Sequence, residues 1–169
     1  MIIVCPLSKV QPLVDEHGVS HVVSLLGPET PHRSFDGVET ERHLRLTFHD
    51  IVLPADGYTP PRAADAERLV GFLQTWDRAA PMLIHCWAGI SRSTASAYTA
   101  MCLFNPKADE EELAWRLRQA SGSATPNRLI VSYTDQLLGR NGRMVRAVDK
   151  IGRGADAFEG KPFFLDVDG

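Results

Sequence analysis

The sequence predicts an α/β fold in one domain, with a mainly parallel central sheet of four to five strands, helices on both faces and a mostly helical C-terminal half. Three observations predict this class. Short apolar segments rich in β-branched residues alternate with segments of helical periodicity. The length of 169 residues suits one domain. The composition, 44% hydrophobic and 23% charged, is typical of a folded globular protein.

The chain opens with a strand, a helix and a second strand. Residues 2–5 are an apolar run, and a helical segment follows to about His17, closed by Gly18. Residues 22–27 are rich in β-branched side chains and predict the second strand. This order indicates a β-α-β unit, which places its two strands parallel in one sheet.

The next segments alternate between loop and regular structure. Residues 28–41 contain two prolines, a glycine and mixed charges, and they predict a surface loop. Apolar and polar residues alternate over 44–48, which predicts a third strand that ends at His49 and Asp50. Residues 51–61 hold three prolines and predict an irregular loop before a helix with apolar residues at helical spacing.

The C-terminal half begins with a buried strand at 81–84, a polar loop and a helix of small residues from Thr94 to Phe104. Asp109 is placed to cap a further helix. Thr125 and Pro126 suit the N-cap and first position of another helix.

Two glycines after residue 151 mark the expected end of the folded domain. We therefore divide the chain into a domain of residues 1–151 and a C-terminal tail of residues 152–169. The tail contains an apolar patch, residues 163–165, which either docks on the domain or hangs free.

Charge and composition limit the partners. The chain has 18 basic and 21 acidic residues and a pI of about 6.0, so it offers no overall positive field for nucleic acid. No apolar run approaches the ~18 residues that span a bilayer. The N-terminal segment lacks the basic leader of a signal peptide, and three cysteines at irregular spacing argue against a disulfide framework. We expect a cytoplasmic protein.

The junction between the buried strand and the helix of small residues is the part of the sequence that carries chemistry. Cys86 follows the strand, Gly89 allows a tight turn, and Arg92 stands six residues after the cysteine at the start of the helix. In open α/β sheets, ligands bind beyond the carboxyl ends of the strands, where a helix N-terminus offers unpaired N–H groups. The junction therefore predicts an anion site.

Each residue of the junction has a physical task in this interpretation. The backbone amides of the loop would surround a phosphate, and the Arg92 guanidinium would donate two parallel hydrogen bonds to its oxygens. The same amides and the helix dipole favour the thiolate of Cys86, which can then attack phosphorus. The phosphate-binding residues are expected to be Trp87, Ala88, Gly89, Ile90, Ser91 and Arg92.

The segment from His85 to Ser93, HCWAGISRS, resembles the signature loop of the cysteine-dependent protein tyrosine phosphatases, in the compact dual-specificity branch. The resemblance implies that Cys86 is the nucleophile and Arg92 the phosphate clamp. It implies that Ser93 is the hydroxyl that assists breakdown of the phosphocysteine, and that His85 supports the loop.

The resemblance extends beyond the loop. Pro126 and Asn127, followed by an apolar helix, resemble the element that buttresses the phosphate loop of this family. Residues 1–140 can be laid on the family pattern, most strongly at 82–104. The whole chain is also similar to small bacterial proteins described as predicted tyrosine phosphatases.

A general acid is needed to protonate the departing oxygen. The family draws this acid from an aspartate some 30 residues before the cysteine, and two aspartates fit. We favour Asp50, because a position at the end of a strand would let the sheet fix its carboxyl group. Asp56 is the alternative acid; it lies in a proline-interrupted loop where Asp-Gly is a common turn dipeptide.

These residues predict a phosphomonoester hydrolase that needs no metal and no cofactor. Its substrate would be a phosphorylated protein or a small phosphomonoester. In a protein it would act on phosphotyrosine and, as a wider class, on phosphoserine and phosphothreonine. Two alternatives remain open from the sequence. One is a phosphate-binding module without turnover, and the other is a rhodanese-type sulfur transferase, which also carries a cysteine between a strand and a helix.

Overall fold

A computed structural model describes residues 1–168 of the chain. Within them, strands and helices follow in this order: β1 (Ile2–Pro6), α1 (Val10–His17), β2 (His21–Leu26), β3 (His43–Thr47), α2 (Ala63–Thr75), β4 (Met82–Cys86), α3 (Arg92–Phe104), α4 (Glu110–Ala120), α5 (Arg128–Leu137), α6 (Arg143–Ile151) and β5 (Phe163–Leu165). Short 3₁₀ turns precede α1 and β3. The C-terminal half is mostly helical, as the sequence predicts.

The strands form one sheet in the order β3-β2-β4-β1-β5. The pairs β3-β2, β2-β4 and β4-β1 are parallel, and β5 adds to β1 in the antiparallel direction. The prediction of a mainly parallel sheet of four to five strands is therefore confirmed. Because the parallel strands all run the same way, their carboxyl ends meet along one edge of the sheet.

The sheet is covered on both faces, as its strands require. Successive side chains of β1 point to opposite faces, so Ile2 and Val4 pack in one core while Ile3 and Cys5 pack in the other. The larger core lies against α2 to α6, and the smaller core lies against α1. Strands buried on both faces read as continuous apolar runs, which explains the pattern seen in the sequence.

Helix α3 passes through the larger core and holds the segment that precedes it. Every side chain from Ser93 to Cys102 is buried, and small residues at these positions let the helix approach its neighbours closely. The longest helices, α2 and α3, have 13 residues each. Across residues 1–168, no helix combines the length and apolar character needed to cross a bilayer.

The C-terminal segment docks on the body, which answers the alternative left open by the sequence. Ile2, Ile3 and Val4 pair with Leu165, Phe164 and Phe163 in the antiparallel ladder. Val167 is fully buried beyond the end of β5. Residues 152–168 therefore supply the edge strand of the sheet.

Several boundaries differ from the sequence predictions. β3 ends at Thr47, so Asp50 lies beyond the strand, and α3 begins at Arg92 rather than at Thr94. The cap of α5 is Asn127, because its Oδ1 accepts the first free backbone N–H groups of that helix. Thr125 is occupied elsewhere, since its hydroxyl donates to the Ser123 carbonyl.

Candidate active site

Cys86 is the last residue of β4 and lies at the carboxyl edge of the parallel strands. β4 is buried along its whole length, so the strand delivers the thiol to the edge where open α/β sheets bind ligands. Sγ accepts a hydrogen bond from the Gly89 backbone N–H at 3.2 Å and lies 3.1 Å from Oγ of Ser93. Both groups can donate to a negatively charged sulfur.

The loop between β4 and α3, residues 87–91, has its backbone carbonyls turned outward. Four of them accept N–H groups from segments outside the loop: Trp87 from Leu7 (3.2 Å), Ala88 from Gly160 (2.8 Å), Ile90 from Thr125 (2.9 Å) and Ser91 from Asn127 (3.1 Å). The C=O and N–H of a trans peptide point in opposite directions, so the amide after each carbonyl faces inward. These inward amides form a cradle for an anion, with the Gly89 amide directed at the sulfur.

Gly89 is the turn residue of this cradle. Its φ is +71°, and a Cβ atom there would lie 2.7 Å from the Pro6 nitrogen and 2.8 Å from the Cys5 carbonyl carbon. The loop backbone thus packs directly on the end of β1. Only glycine satisfies both the left-handed backbone and this close approach.

We expect Gly89→Ala to destabilise the fold by roughly 2 to 4 kcal/mol, because it adds a backbone clash to the strain of a positive φ. Gly18→Ala is the matched control. Gly18 also has a positive φ of +63°, but nothing lies within 4 Å of its Cβ position, so that variant should lose only about 1 kcal/mol. Urea unfolding measures both. Equal losses of unfolding free energy in the two variants would show that the close contact between Gly89 and β1 does not contribute to stability.

Arg92 is held beside the loop, and its buried Nε donor is unpaired. Its Nη1 donates to the Phe48 carbonyl at 3.0 Å, which fixes the guanidinium against the segment that follows β3. Its Nε is buried and has no hydrogen-bond partner among residues 1–168. A buried unpaired donor on a cationic group is costly, and a bound anion would satisfy it.

Asp50 and Asn127 join the loop from two other segments. Oδ1 of Asp50 accepts hydrogen bonds from Ser91 Oγ at 2.7 Å and from Asn127 Nδ2 at 2.8 Å. Asn127 also caps α5, and its backbone N–H donates to the Ser91 carbonyl. One buried asparagine therefore joins the loop at residues 87–91, helix α5 and the Asp50 carboxylate.

The two candidate acids differ in how they are held. Asp50 lies three residues past the end of β3, so two side-chain hydrogen bonds, rather than the sheet, fix its carboxylate. Asp56 lies in an exposed turn. No hydrogen bond or ion pair joins its carboxyl group to the loop or to any other residue within 1–168. The structure therefore brings Asp50 to the loop and leaves Asp56 outside it.

His85 lies beneath the loop and is fully buried. Its Nδ1 is 3.3 Å from the Cys86 carbonyl, which can only accept, so Nδ1 carries the proton and Nε2 accepts from Ser24 Oγ at 2.5 Å. Ser24 Oγ in turn accepts from His43 Nε2 at 2.7 Å. Burial lowers the pKa of His85 to about 3 and that of His43 to about 4, so both rings are neutral at physiological pH. This hydrogen-bonded chain supports the end of β4.

A carboxylate and imidazole pair beside Arg92 was missed by the sequence analysis. His49 Nδ1 accepts the Thr59 backbone N–H at 2.9 Å, so its Nε2 carries the proton and donates to Glu29 Oε2 at 3.0 Å. The pKa of Glu29 is lowered first by a hydrogen bond from its own backbone, and then by His49 and the charge of Arg92. Glu29 falls in the segment predicted as a surface loop, where no local pattern links it to a residue 20 positions later.

Comparison with known proteins shows similarity in structure. No protein-family model matches the sequence, and no curated protein matches it. Human DUSP28 superposes with a TM-score of 0.61 at 17% identity over 83% of this chain and 92% of that chain. The PTP-2 phosphatase of Cydia pomonella has a TM-score of 0.61 at 19% identity, over 80% and 84% of the two chains.

A third structure, the human tyrosine phosphatase-like serine/threonine/tyrosine-interacting protein, has a TM-score of 0.62 at 16% identity, over 83% of this chain and 92% of that chain. All three similarities extend over most of both chains. They agree with the resemblance of the segment from His85 to Ser93 to the signature loop of this group of phosphatases. The chain therefore has the fold of the compact dual-specificity protein tyrosine phosphatases.

Proposed function

We propose that this protein is a phosphomonoester hydrolase that acts through a phosphocysteine intermediate on Cys86, without a metal ion. Its substrates would be phosphotyrosine and, as a wider class, phosphoserine and phosphothreonine. One observation carries the proposal: the loop that follows the Cys86 thiol at the carboxyl edge of the sheet brings together inward amides, an arginine with an unpaired buried donor, and a carboxyl group hydrogen-bonded to Ser91. This chemistry requires a nucleophile, hydrogen-bond donors that stabilise the negative charge of the transition state, and a general acid.

In the first step the Cys86 thiolate attacks phosphorus, so an S–P bond forms while the P–O ester bond breaks. The loop amides and Arg92 bind the phosphoryl oxygens, where negative charge is spread in the transition state. Asp50 transfers its proton to the departing oxygen, which leaves as an alcohol or a phenol.

In the second step water attacks the phosphocysteine. The Asp50 carboxylate accepts a proton from that water, a P–O bond forms, and the S–P bond breaks to release inorganic phosphate. Ser93 Oγ, 3.1 Å from the sulfur, would donate a hydrogen bond to the departing thiolate. The enzyme then returns to its starting state.

The fixed carboxyl group favours turnover over the two alternatives. A module that only binds phosphate gains nothing from a carboxylate held at the edge of the cradle, because like charges repel. A sulfur transferase acting on thiosulfate expels sulfite, a stable anion that needs no proton. Asp50, hydrogen-bonded to Ser91 within the loop, therefore supports phosphate ester hydrolysis.

We expect the purified protein to hydrolyse p-nitrophenyl phosphate in EDTA with full activity and to be inhibited by vanadate. The reason is that a thiolate, fixed amides and an arginine supply the chemistry without a metal. Release of p-nitrophenolate measures the rate. The control is a thiosulfate and cyanide assay, which should show no sulfur transfer. Loss of activity on chelation, or sulfur transfer without phosphatase turnover, would contradict the proposal.

A further inference from the structure

A cleft extends from the loop at residues 87–91, which we call the phosphate loop, to the C-terminal segment. We call residues 153–160 the C-terminal wall. The phosphate-loop side of the cleft carries Asp50, Ile90 and Ser91, and the opposite side carries Arg153, Asp156 and Phe158 of the wall. Asp50 thus faces the same cleft as the wall, on the side where the leaving group would depart.

The wall is attached to the loop and to the connection between α4 and α5. The Gly154 N–H donates to Thr125 Oγ1 at 3.1 Å, and the Ala155 N–H donates to the Gly122 carbonyl at 2.9 Å. At the other end the Gly160 N–H donates to the Ala88 carbonyl at 2.8 Å. A Cβ on Gly160 would lie 2.8 Å from the Gly89 carbonyl oxygen, so the two backbones are in direct contact. Both ends of the wall are therefore fixed relative to the cradle.

The wall presents an exposed aromatic ring at the mouth of the cleft. Phe158 is 81% exposed, and it contacts Trp87 of the phosphate loop edge to face, with ring centroids 5.3 Å apart and planes at 87°. Trp87 is itself 40% exposed. Phe158 is thus a solvent-exposed ring whose position is fixed by its contact with Trp87 and by the attachment of the wall at both ends. It offers an exposed apolar surface for a ligand at the mouth of the cleft.

We propose that Phe158, held by Trp87, is a specificity-determining residue that selects aryl over alkyl phosphates, and so phosphotyrosine over phosphoserine. The proposal rests on the phosphatase function above. With its phosphate in the cradle, a phosphotyrosine extends a rigid ring out of the loop and along the cleft, where Phe158 can contact it. A phosphoserine has no ring, and its short side chain brings little apolar surface to the wall.

The test compares two peptides of one sequence, phosphorylated on tyrosine or on serine at the same position. We expect Phe158→Ala to lower kcat/KM for the phosphotyrosine peptide roughly three- to tenfold, mainly through KM, with less than about a twofold change for the phosphoserine peptide. Phe158 is exposed, so its removal leaves the core intact.

Phe164→Ala is the matched control. Phe164 is also an exposed aromatic residue, at 45%, but it lies on β5 and contacts His17, outside the cleft. It should leave both peptides unchanged. Equal losses on the two peptides, no loss with Phe158→Ala, or the same loss with Phe164→Ala would overturn the selectivity and leave the phosphatase function standing. No turnover of either peptide or of p-nitrophenyl phosphate by the unmodified protein would overturn both.

Discussion

Cys86→Ser should reduce phosphatase turnover by at least about 10⁴-fold while leaving phosphopeptide binding intact. Serine is slightly smaller than cysteine and can still accept a hydrogen bond from Gly89 or Ser93, but its hydroxyl is not ionised at neutral pH. The cradle of loop amides and Arg92 is unchanged. Hydrolysis of a phosphotyrosine peptide measures the loss, and calorimetric titration of the same peptide measures binding.

Cys102→Ala tests whether the loss belongs to Cys86 alone. Cys102 lies in the core on α3, ten residues after Arg92, so about 15 Å of helix separates it from the loop. Burial raises the pKa of its thiol to about 12, so it is protonated and not nucleophilic. This variant should keep turnover close to that of the unmodified protein. Turnover that survives Cys86→Ser, or that is lost equally in both variants, would mean that Cys86 is not the nucleophile.

The strand, loop and helix around Cys86 could be predicted from the sequence because the residues that shape them are contiguous. An apolar strand, a cysteine, a glycine turn and a helix of small residues occupy 82–104, and the geometry follows from that local order. The position of Gly89 illustrates this, since a tight turn in the middle of the loop needs its positive φ. The fold class followed for the same reason, from the alternation of strands and helices along the chain.

The C-terminal wall and β5 could not be predicted, because they depend on contacts between the two ends of the chain. β5 has three residues and pairs Leu165 with Ile2. So short a segment shows no readable alternation, and nothing local says which edge it will join. The sequence predicts the end of the folded domain at Gly152 and Gly154. In the structure Gly154 and Gly160 instead permit close backbone contacts with the segments around the loop.

The position of Asp50 was predicted, but the reason given for it was wrong. The strand ends at Thr47, and the carboxylate is fixed by Ser91, 41 residues away, and by Asn127, 77 residues away. Hydrogen bonds between side chains so far apart in the sequence depend on how the loops approach one another in the folded protein. Sequence spacing alone therefore left Asp50 and Asp56 as alternative acids, and the folded arrangement brings only Asp50 to the loop around Cys86.

We expect Asp50→Asn to lower kcat on a phosphotyrosine peptide by about 10²-fold or more, with a smaller loss on p-nitrophenyl phosphate. An asparagine oxygen can still accept from Ser91 and Asn127, so the change removes the proton and preserves the hydrogen bonds. The phenolic oxygen of phosphotyrosine needs that proton to leave, whereas p-nitrophenolate departs readily without it. The alkaline limb of the kcat profile, which reports loss of the proton from the acid, should become flat.

Asp56→Asn is the matched control, with the same chemical change in an exposed turn, and it should cost less than about tenfold on either substrate. The two variants are compared by the size of the loss in kcat and by its dependence on the leaving group. Removal of a general acid causes a loss that grows as the leaving group becomes poorer, whereas a distorted loop lowers the rates on both substrates alike. A large, substrate-dependent loss with Asp56→Asn and a small one with Asp50→Asn would transfer the acid role to Asp56. Two mild variants would contradict general acid catalysis by either residue.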